Sequence, residues 1–168
     1  AFVCVQLVNY RSGARQDVPA LTAAARDHGA YVLWDASHAV GSIDLRFDEW
    51  GVDIAVGCTY KYCNSGPGSP GWMYVRSDLH DTLRTPIDGW FGQQDQFTMG
   101  PTFERASGMR GFQIASPSIV GLTAVDESMS IIAEAGMGRI EAKCAEGTSF
   151  MIDLFDQWLE PLGFGLDT

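Results

Sequence analysis

The sequence is poor in basic residues, and above all in lysine. It has 11 Lys and Arg against 21 Asp and Glu, a formal net charge of −10, and a sequence pI near 4.5. A surface with this balance repels phosphate backbones and anionic lipids, so we expect neither nucleic acid nor a membrane as a partner. Only Lys61 and Lys143 are lysines. Any chemistry that needs a side-chain amine therefore has two candidates.

Long apolar runs and paired cysteines are missing as well. No apolar stretch approaches the roughly 20 residues that span a bilayer, and residues 1–6 have neither the basic start nor the cleavage pattern of a leader. The four cysteines form no CxxC pair. We therefore predict no disulfide framework and no metal site, and we expect a cytoplasmic protein.

What the sequence does contain is enough apolar residues for a core, 46% of 168, arranged mostly in short runs. Residues 2–8, 31–34, 52–58 and 71–76 are apolar and predict strands, the first of them buried on both faces of a parallel sheet. Residues 17–28, with a capping Asp at the start and Gly after the end, predict a helix between the first two strands. This alternation predicts an α/β fold with a mostly parallel sheet flanked by helices.

The last third of the sequence predicts two further helices. Beyond Pro117, apolar residues recur at helical spacing, and a second helix is predicted from about residue 139 to residue 159. Candidate buried positions on this second helix are Ile140, Cys144, Met151, Leu154, Phe155 and Trp158.

Two segments between these elements are rich in turn residues. Residues 60–71 are dense in Gly, Pro and Ser, which disfavours regular structure but suits close approach of the backbone to a ligand. Residues 86–115 form a long irregular stretch. Loops of this length inside compact domains usually have a function, so we expect a binding loop there.

Three residues near the predicted strand ends have side chains suited to one cofactor. Asp35 ends a predicted parallel strand, His38 follows three residues later, and Lys61 follows the next long strand. Singly, each fits an ordinary structural role as a turn residue, a core histidine or a solvated charge. Together they suit pyridoxal 5′-phosphate (PLP), which needs a lysine amine, a carboxylate for its pyridine nitrogen and a ring that positions it.

Several runs of the sequence resemble kynureninase, a fold-type I PLP enzyme. The most specific is the Tyr60-Lys61 pair with its Asn-x-Gly-Pro-Gly tail, within residues 58–68. A tyrosine before the lysine favours kynureninase over cysteine desulfurases and class V aminotransferases, which typically have histidine there. Similar runs cover almost the whole chain: residues 9–13, 35–42, 49–56, 89–92 and 111–117.

The resemblance implies a role for each of these residues. Lys61 would bind PLP covalently, Asp35 would pair with the pyridine nitrogen, and His38 would lie beside it. Tyr60 would contact the phosphate and serve as a proton donor. The implied reaction is hydrolytic cleavage of the Cβ–Cγ bond of L-kynurenine, or of a ring-substituted kynurenine, to an anthranilate and L-alanine, within tryptophan catabolism and NAD biosynthesis.

The resemblance also implies a homodimer. Trp90 and Ser116 stand where the family reaches the phosphate of the neighbouring subunit, and Gln6 stands at a phosphate-contacting position. This sequence departs from the family at Ser116, where Asn or Thr is common, at Gln93, where His is common, and at Gln6, where a small hydroxyl residue is common. These departures bear on substrate selectivity and on phosphate binding.

Kynureninases are much longer than this chain, which corresponds to the middle of the family. We therefore expect residues 1–168 to be part of a PLP-binding large domain, without the preceding phosphate-loop segment and the following small domain. As an isolated chain it is expected to be incomplete. Two alternatives stay open: another fold-type I enzyme, such as an aminotransferase or a cysteine desulfurase, for which Cys63 is a poor nucleophile; or a non-catalytic fragment that needs a complementary chain.

Overall fold

The structure, a computed structural model, describes residues 1–165. Its sheet has four strands in the order β1 (Phe2–Gln6), β2 (Tyr31–Asp35), β3 (Ile54–Gly57) and β4 (Trp72–Val75). The pairs β1–β2 and β2–β3 are parallel and β3–β4 is antiparallel. The predicted, mostly parallel sheet is confirmed, with one antiparallel edge strand.

Helix α1 (Val18–Asp27) connects β1 to β2 and confirms the predicted helix. The Asp17 carboxylate caps it by accepting a hydrogen bond from the Ala20 N–H at 3.0 Å, and Gly29 ends it at φ +66°. Thr22 of α1 accepts a hydrogen bond from the Trp34 indole at 3.0 Å. The helix is therefore fixed to the sheet by a buried polar contact as well as by apolar packing.

The core lies between α1 and one face of the sheet. Trp34 and Leu7 are fully buried there, and burial of each such side chain contributes about 1.5 to 3 kcal/mol. The remaining members are smaller aliphatic side chains: Val18, Val32, Ala36, Ala39, Val52 and Ala55. A second cluster of Ile54, Val75 and Leu79 covers the opposite face.

The burial predicted for β1 is wrong. Phe2 is 54% exposed and Val3 39% exposed, and Cys4 is exposed as well. Within residues 1–165, β1 has a hydrogen-bonded neighbour strand, β2, on one side alone. An apolar strand is buried on both faces only where other elements cover both, and the described residues do not supply that cover for β1.

Two long helices follow, α2 (Ile119–Ala135) and α3 (Met137–Trp158), with Gly136 at φ +82° between them. Both helices confirm the prediction, but α3 has no buried residue. Cys144, Met151 and Trp158 are exposed, whereas Ile140, Leu154 and Phe155 are half-buried. Periodicity predicts which side of a helix is apolar, but burial also requires an element packed against that side. None of the described helices has the length and apolar character of a membrane span.

Candidate functional site

The candidate site lies at the carboxyl edge of the parallel strands. The sheet register pairs Gln6, the last residue of β1, with Asp35, the last residue of β2, and pairs Asp35 with Val56 of β3. Because parallel strands end at the same edge, Gln6 and Asp35 are neighbours there, and the segment that leads to Lys61 leaves from the same edge.

The loop after β2 is fixed to the segment after β3. Its first turn is closed by the N–H groups of Ala39 and Val40, both 2.9 Å from the Ala36 carbonyl oxygen. The Asp35 Oδ1 accepts a hydrogen bond from the Ser37 N–H at 2.9 Å, and the Ser37 hydroxyl accepts one from the Cys58 N–H at 3.3 Å. The two segments are therefore held together next to the carboxylate.

This arrangement brings His38 and Lys61 into contact. The His38 Nε2 and the Lys61 Nζ are 3.0 Å apart, and both side chains are half-buried. A contact of this length between two nitrogens requires a shared proton, either from an ammonium to a neutral imidazole or from an imidazole N–H to a neutral amine. The amine is therefore held next to a group that can take or supply a proton.

The Tyr60 ring lies near the lysine amine. The Lys61 Nζ is 5.8 Å from the centroid of the Tyr60 ring, and this tyrosine is 52% exposed. Tyr60 is therefore accessible from solvent next to the lysine.

The glycine-rich segment after Lys61 is held by three hydroxyl groups. Thr59 donates to the Pro70 carbonyl oxygen at 2.6 Å, and Ser65 donates to Ser69 at 2.8 Å. The Ser69 hydroxyl is 3.0 Å from Thr59 and 2.6 Å from the Gly66 carbonyl oxygen. Three hydroxyl protons are thus shared among four close contacts, all of them within residues 59–70.

A cleft of about 830 Å³ opens beside His38, and residues that the sequence did not indicate line it. Tyr62, Arg15 and Glu141 line it together with His38. The Glu141 Oε1 is 2.7 Å from the Arg15 Nη1, and the Glu141 Oε2 accepts a hydrogen bond from the Asp44 N–H at 3.0 Å. The Asp44 N–H and then the Arg15 guanidinium hold the pKa of Glu141 below its usual value. Arg15, Asp44 and Glu141 are far apart in the chain, so no local sequence pattern indicates this contact.

Trp90 and Ser116 lie outside this cluster. Trp90 begins a short helical turn (Trp90–Gly92), is 49% exposed and stands edge-on to Phe91, with ring centroids 4.8 Å apart. Ser116 is exposed just before α2. Within residues 1–165, no hydrogen bond connects either residue to Lys61, His38 or Asp35. The structure thus brings together five of the seven predicted site positions, which are Gln6, Asp35, His38, Tyr60 and Lys61, and leaves Trp90 and Ser116 apart.

The strand order and the sheet are those of the fold of fold-type I PLP-dependent enzymes. A cysteine desulfurase from Thermococcus onnurineus NA1 superimposes with a TM-score of 0.77 at 23% identity, covering 93% of this chain and 38% of that one. A mutant of the protein C-DES with glycine covalently linked to its PLP cofactor gives a TM-score of 0.73 at 19% identity, covering 86% of this chain and 39% of that one. The fold prediction is confirmed.

The Aminotransferase class-V family matches residues 1–160, and the chain belongs to this family. Among curated relatives, the kynureninase of Pseudomonas fluorescens is 35% identical over 157 residues, which are 94% of this chain and 38% of that protein. The chain therefore spans well under half the length of the relatives that it matches.

PLP is the cofactor of the class-V family, and the donor set at the sheet edge fits it. A lysine amine, a carboxylate and an imidazole meet there. Within the part of the chain that the structure describes, one Asp35 oxygen accepts the Ser37 N–H and the other accepts no hydrogen bond. That second oxygen is available for a protonated pyridine nitrogen.

Proposed function

We propose that the protein acts as a kynureninase-like hydrolase, which adds water across the Cβ–Cγ bond of L-kynurenine or a substituted kynurenine and releases an anthranilate and L-alanine. The observation that carries the proposal is the 3.0 Å contact between Lys61 and His38 beside Asp35. The kynureninase relatives at about 35% identity support the choice of substrate.

Three residues hold the cofactor in this proposal. Lys61 binds it covalently, Asp35 holds a proton on the pyridine nitrogen, and His38 positions the ring. PLP, when bound, accepts the electron pair that the substrate releases. The order of the strand ends supports this assignment, because Asp35 and the Lys61 segment leave adjacent strands at one edge.

Proton transfer is the second part of the proposal. The Lys61 amine would remove the proton from the substrate α-carbon. His38 shares a proton with that amine, and Tyr60, which is exposed, supplies a proton to the departing group.

A cysteine desulfurase activity would need an accessible thiolate. Cys63, next to the lysine motif, is 1% exposed, and burial followed by the neighbouring Cys58 raises the pKa of its thiol. A buried thiol with a raised pKa is a poor nucleophile. This observation argues against Cys63 as the nucleophile of a desulfurase.

We also propose that residues 1–168 are part of a PLP-binding large domain that works as a homodimer in the cytoplasm. Trp90, Ser116 and Gln6 would contact the phosphate, the first two across the dimer interface. The exposure of Trp90 supports a contact with a second chain, because tryptophan is enriched at protein interfaces. Chemical cross-linking of the purified protein, with the Trp90→Ala variant as comparison, tests the interface.

Borohydride reduction of the PLP-loaded protein tests the role of Lys61. Reduction should leave the cofactor on the peptide that contains Lys61, and Lys61→Arg should abolish the absorbance of the bound cofactor because a guanidinium stays protonated. Lys143→Arg is the matched control and should keep that absorbance. Cofactor recovered on Lys143 would contradict the assignment.

The reaction itself is tested with substrates of the three activities. Anthranilate released from L-kynurenine supports the hydrolase, whereas sulfide from cysteine or keto acid from an amino-acid donor would support the alternatives. Asp35→Asn should keep measurable cofactor binding and lose turnover by orders of magnitude. The protein could also bind PLP and act on none of these substrates. If activity then appears when the remaining segments of a kynureninase are added as a second chain, the protein is a fragment that needs a partner.

A further inference from the structure

We propose that Gly41 is a positioning residue that sets the distance between His38 and Lys61. It lies three residues after His38, in the loop between β2 and β3, and its backbone packs against the segment that carries the lysine. The importance of that distance for catalysis rests on the proposed function. The contact between Gly41 and the Lys61 segment is a property of this chain and does not depend on that function.

The contact is between backbones. A Cβ atom at Gly41 would lie 2.5 Å from the Tyr62 carbonyl oxygen, 2.6 Å from the Tyr62 carbonyl carbon and 2.8 Å from the Cys63 nitrogen. All three distances are shorter than carbon atoms in proteins tolerate, and no side-chain rotation relieves them. Gly41 also has φ +85°, a conformation that favours glycine. Only glycine allows the two segments to approach this closely.

Neither side of the contact can yield easily. On the His38 side, the Ser42 hydroxyl donates to the Ala39 carbonyl oxygen at 3.0 Å and closes the turn that contains Gly41. On the other side, Cys63 is buried, and the Asn64 N–H donates to the Lys61 carbonyl oxygen at 3.0 Å. A side chain at Gly41 would therefore push the whole Lys61 segment away from the His38 loop.

The His38–Lys61 contact would open first. At 3.0 Å it is near the middle of the hydrogen-bond range, and a further separation of several tenths of an ångström takes it beyond that range. The Lys61 amine would then be free of its partner. In the proposed enzyme, the covalent bond to PLP and the proton transfer both depend on this amine.

The experiment measures the amine directly in PLP-free protein. Trace acetic anhydride labels neutral, accessible amines, and peptide mass spectrometry gives the labelling of Lys61 relative to exposed Lys143 in the same molecule. Gly41→Ala should raise this ratio by about fivefold, the factor that corresponds to the loss of one net hydrogen bond. The result does not depend on PLP or substrate, so failure here and failure of the proposed function are distinguishable.

Two control variants separate positioning from general damage. Gly29→Ala also forces alanine into a positive φ, +66°, but its Cβ would meet nothing within 4 Å. Gly111→Ala creates a backbone overlap with Ala106 away from the candidate site. Both should leave the labelling ratio unchanged. A rise in either control equal to that of Gly41→Ala would overturn the proposal, because destabilisation alone would then explain it.

A double variant tests whether Gly41 acts through His38. His38→Ala alone should raise the ratio, and adding Gly41→Ala should raise it no further. If Gly41→Ala does not fold, Ser42→Ala loosens the same turn without adding atoms and should raise the ratio in the same direction. A labelling ratio that stays at the wild-type value in every folded variant of this loop overturns the proposal.

Discussion

The sheet region, residues 2–75, and the helical region, residues 119–158, have equally clear apolar patterns but very different burial. In the sheet region Trp34 is fully buried, whereas in the helical region Trp158 is 66% exposed and Val120 is 83% exposed. Only Gly121 and Ile132 of α2 are buried, and no residue of α3. A local pattern thus determines the kind of element, while burial depends on which elements pack against it.

The largest expected effect is a difference between two tryptophans. Trp34→Ala should lower the free energy of unfolding by about 3 to 5 kcal/mol, because it removes a fully buried side chain and leaves a cavity. It also leaves the Thr22 hydroxyl without its indole donor. Trp158→Ala should change the free energy of unfolding by about 0.5 kcal/mol or less, because Trp158 is exposed. Urea unfolding of the 168-residue chain measures both.

The same pair of variants can contradict the difference in burial between the two regions. If Trp158→Ala costs as much as Trp34→Ala, then α3 is covered in solution by a second copy or by another segment. Repeating the measurement at several protein concentrations distinguishes these cases, since only cover by a second copy depends on concentration.

A buried carboxylate gives the next effect. Asp53 is 2% exposed, lies 2.7 Å from the Arg76 guanidinium and accepts a hydrogen bond from the Val32 N–H at 3.1 Å. Asp53→Asn should cost about 2 kcal/mol, because it removes the charge of a buried carboxylate that is paired with the half-buried guanidinium of Arg76. Asp126→Asn, at an exposed position of α2, is the control and should be nearly neutral. Equal losses would mean that the sheet region does not depend on this ion pair.

The sequence predicted the candidate site better than it predicted burial. Asp35, His38 and Lys61 could be assigned because strand ends and a specific motif mark them locally, and parallel strands bring such ends to one edge. The contact of Glu141 with Arg15, and the exposure of Phe2 and Trp158, could not be assigned. Both depend on how distant elements pack, and a local pattern does not encode that packing.

A smaller effect tests the hydroxyl network of the glycine-rich segment. Thr59→Val keeps the shape of the side chain but removes the donor to the Pro70 carbonyl oxygen at 2.6 Å, so it should cost about 1 kcal/mol. Thr123→Val, on the exposed face of α2, removes a comparable bond to the Ile119 carbonyl oxygen and should cost less. Thermal unfolding of the two variants gives the comparison. If Thr123→Val lost more stability than Thr59→Val, the exposure of a hydrogen bond would not determine how much its removal destabilises the fold.

The smallest effect concerns Glu141 of α3. This residue of the helical region contacts Arg15 and Asp44, which lie in the sheet region. Because its pKa is lowered from the ordinary value of 4.5 in the folded chain, the Glu141 carboxylate stabilises the fold above about pH 4.5. That stabilisation is lost as the pH falls through the folded pKa. The pair is partly exposed, so its contribution should be at most about 1 kcal/mol. Unfolding measured from pH 7 to pH 3 should show a smaller acid loss in Glu141→Gln than in the wild type, while Glu146→Gln, exposed on the same helix, should follow the wild type. If Glu141→Gln and the wild type lose stability in parallel, α3 is not held to the sheet region through this carboxylate.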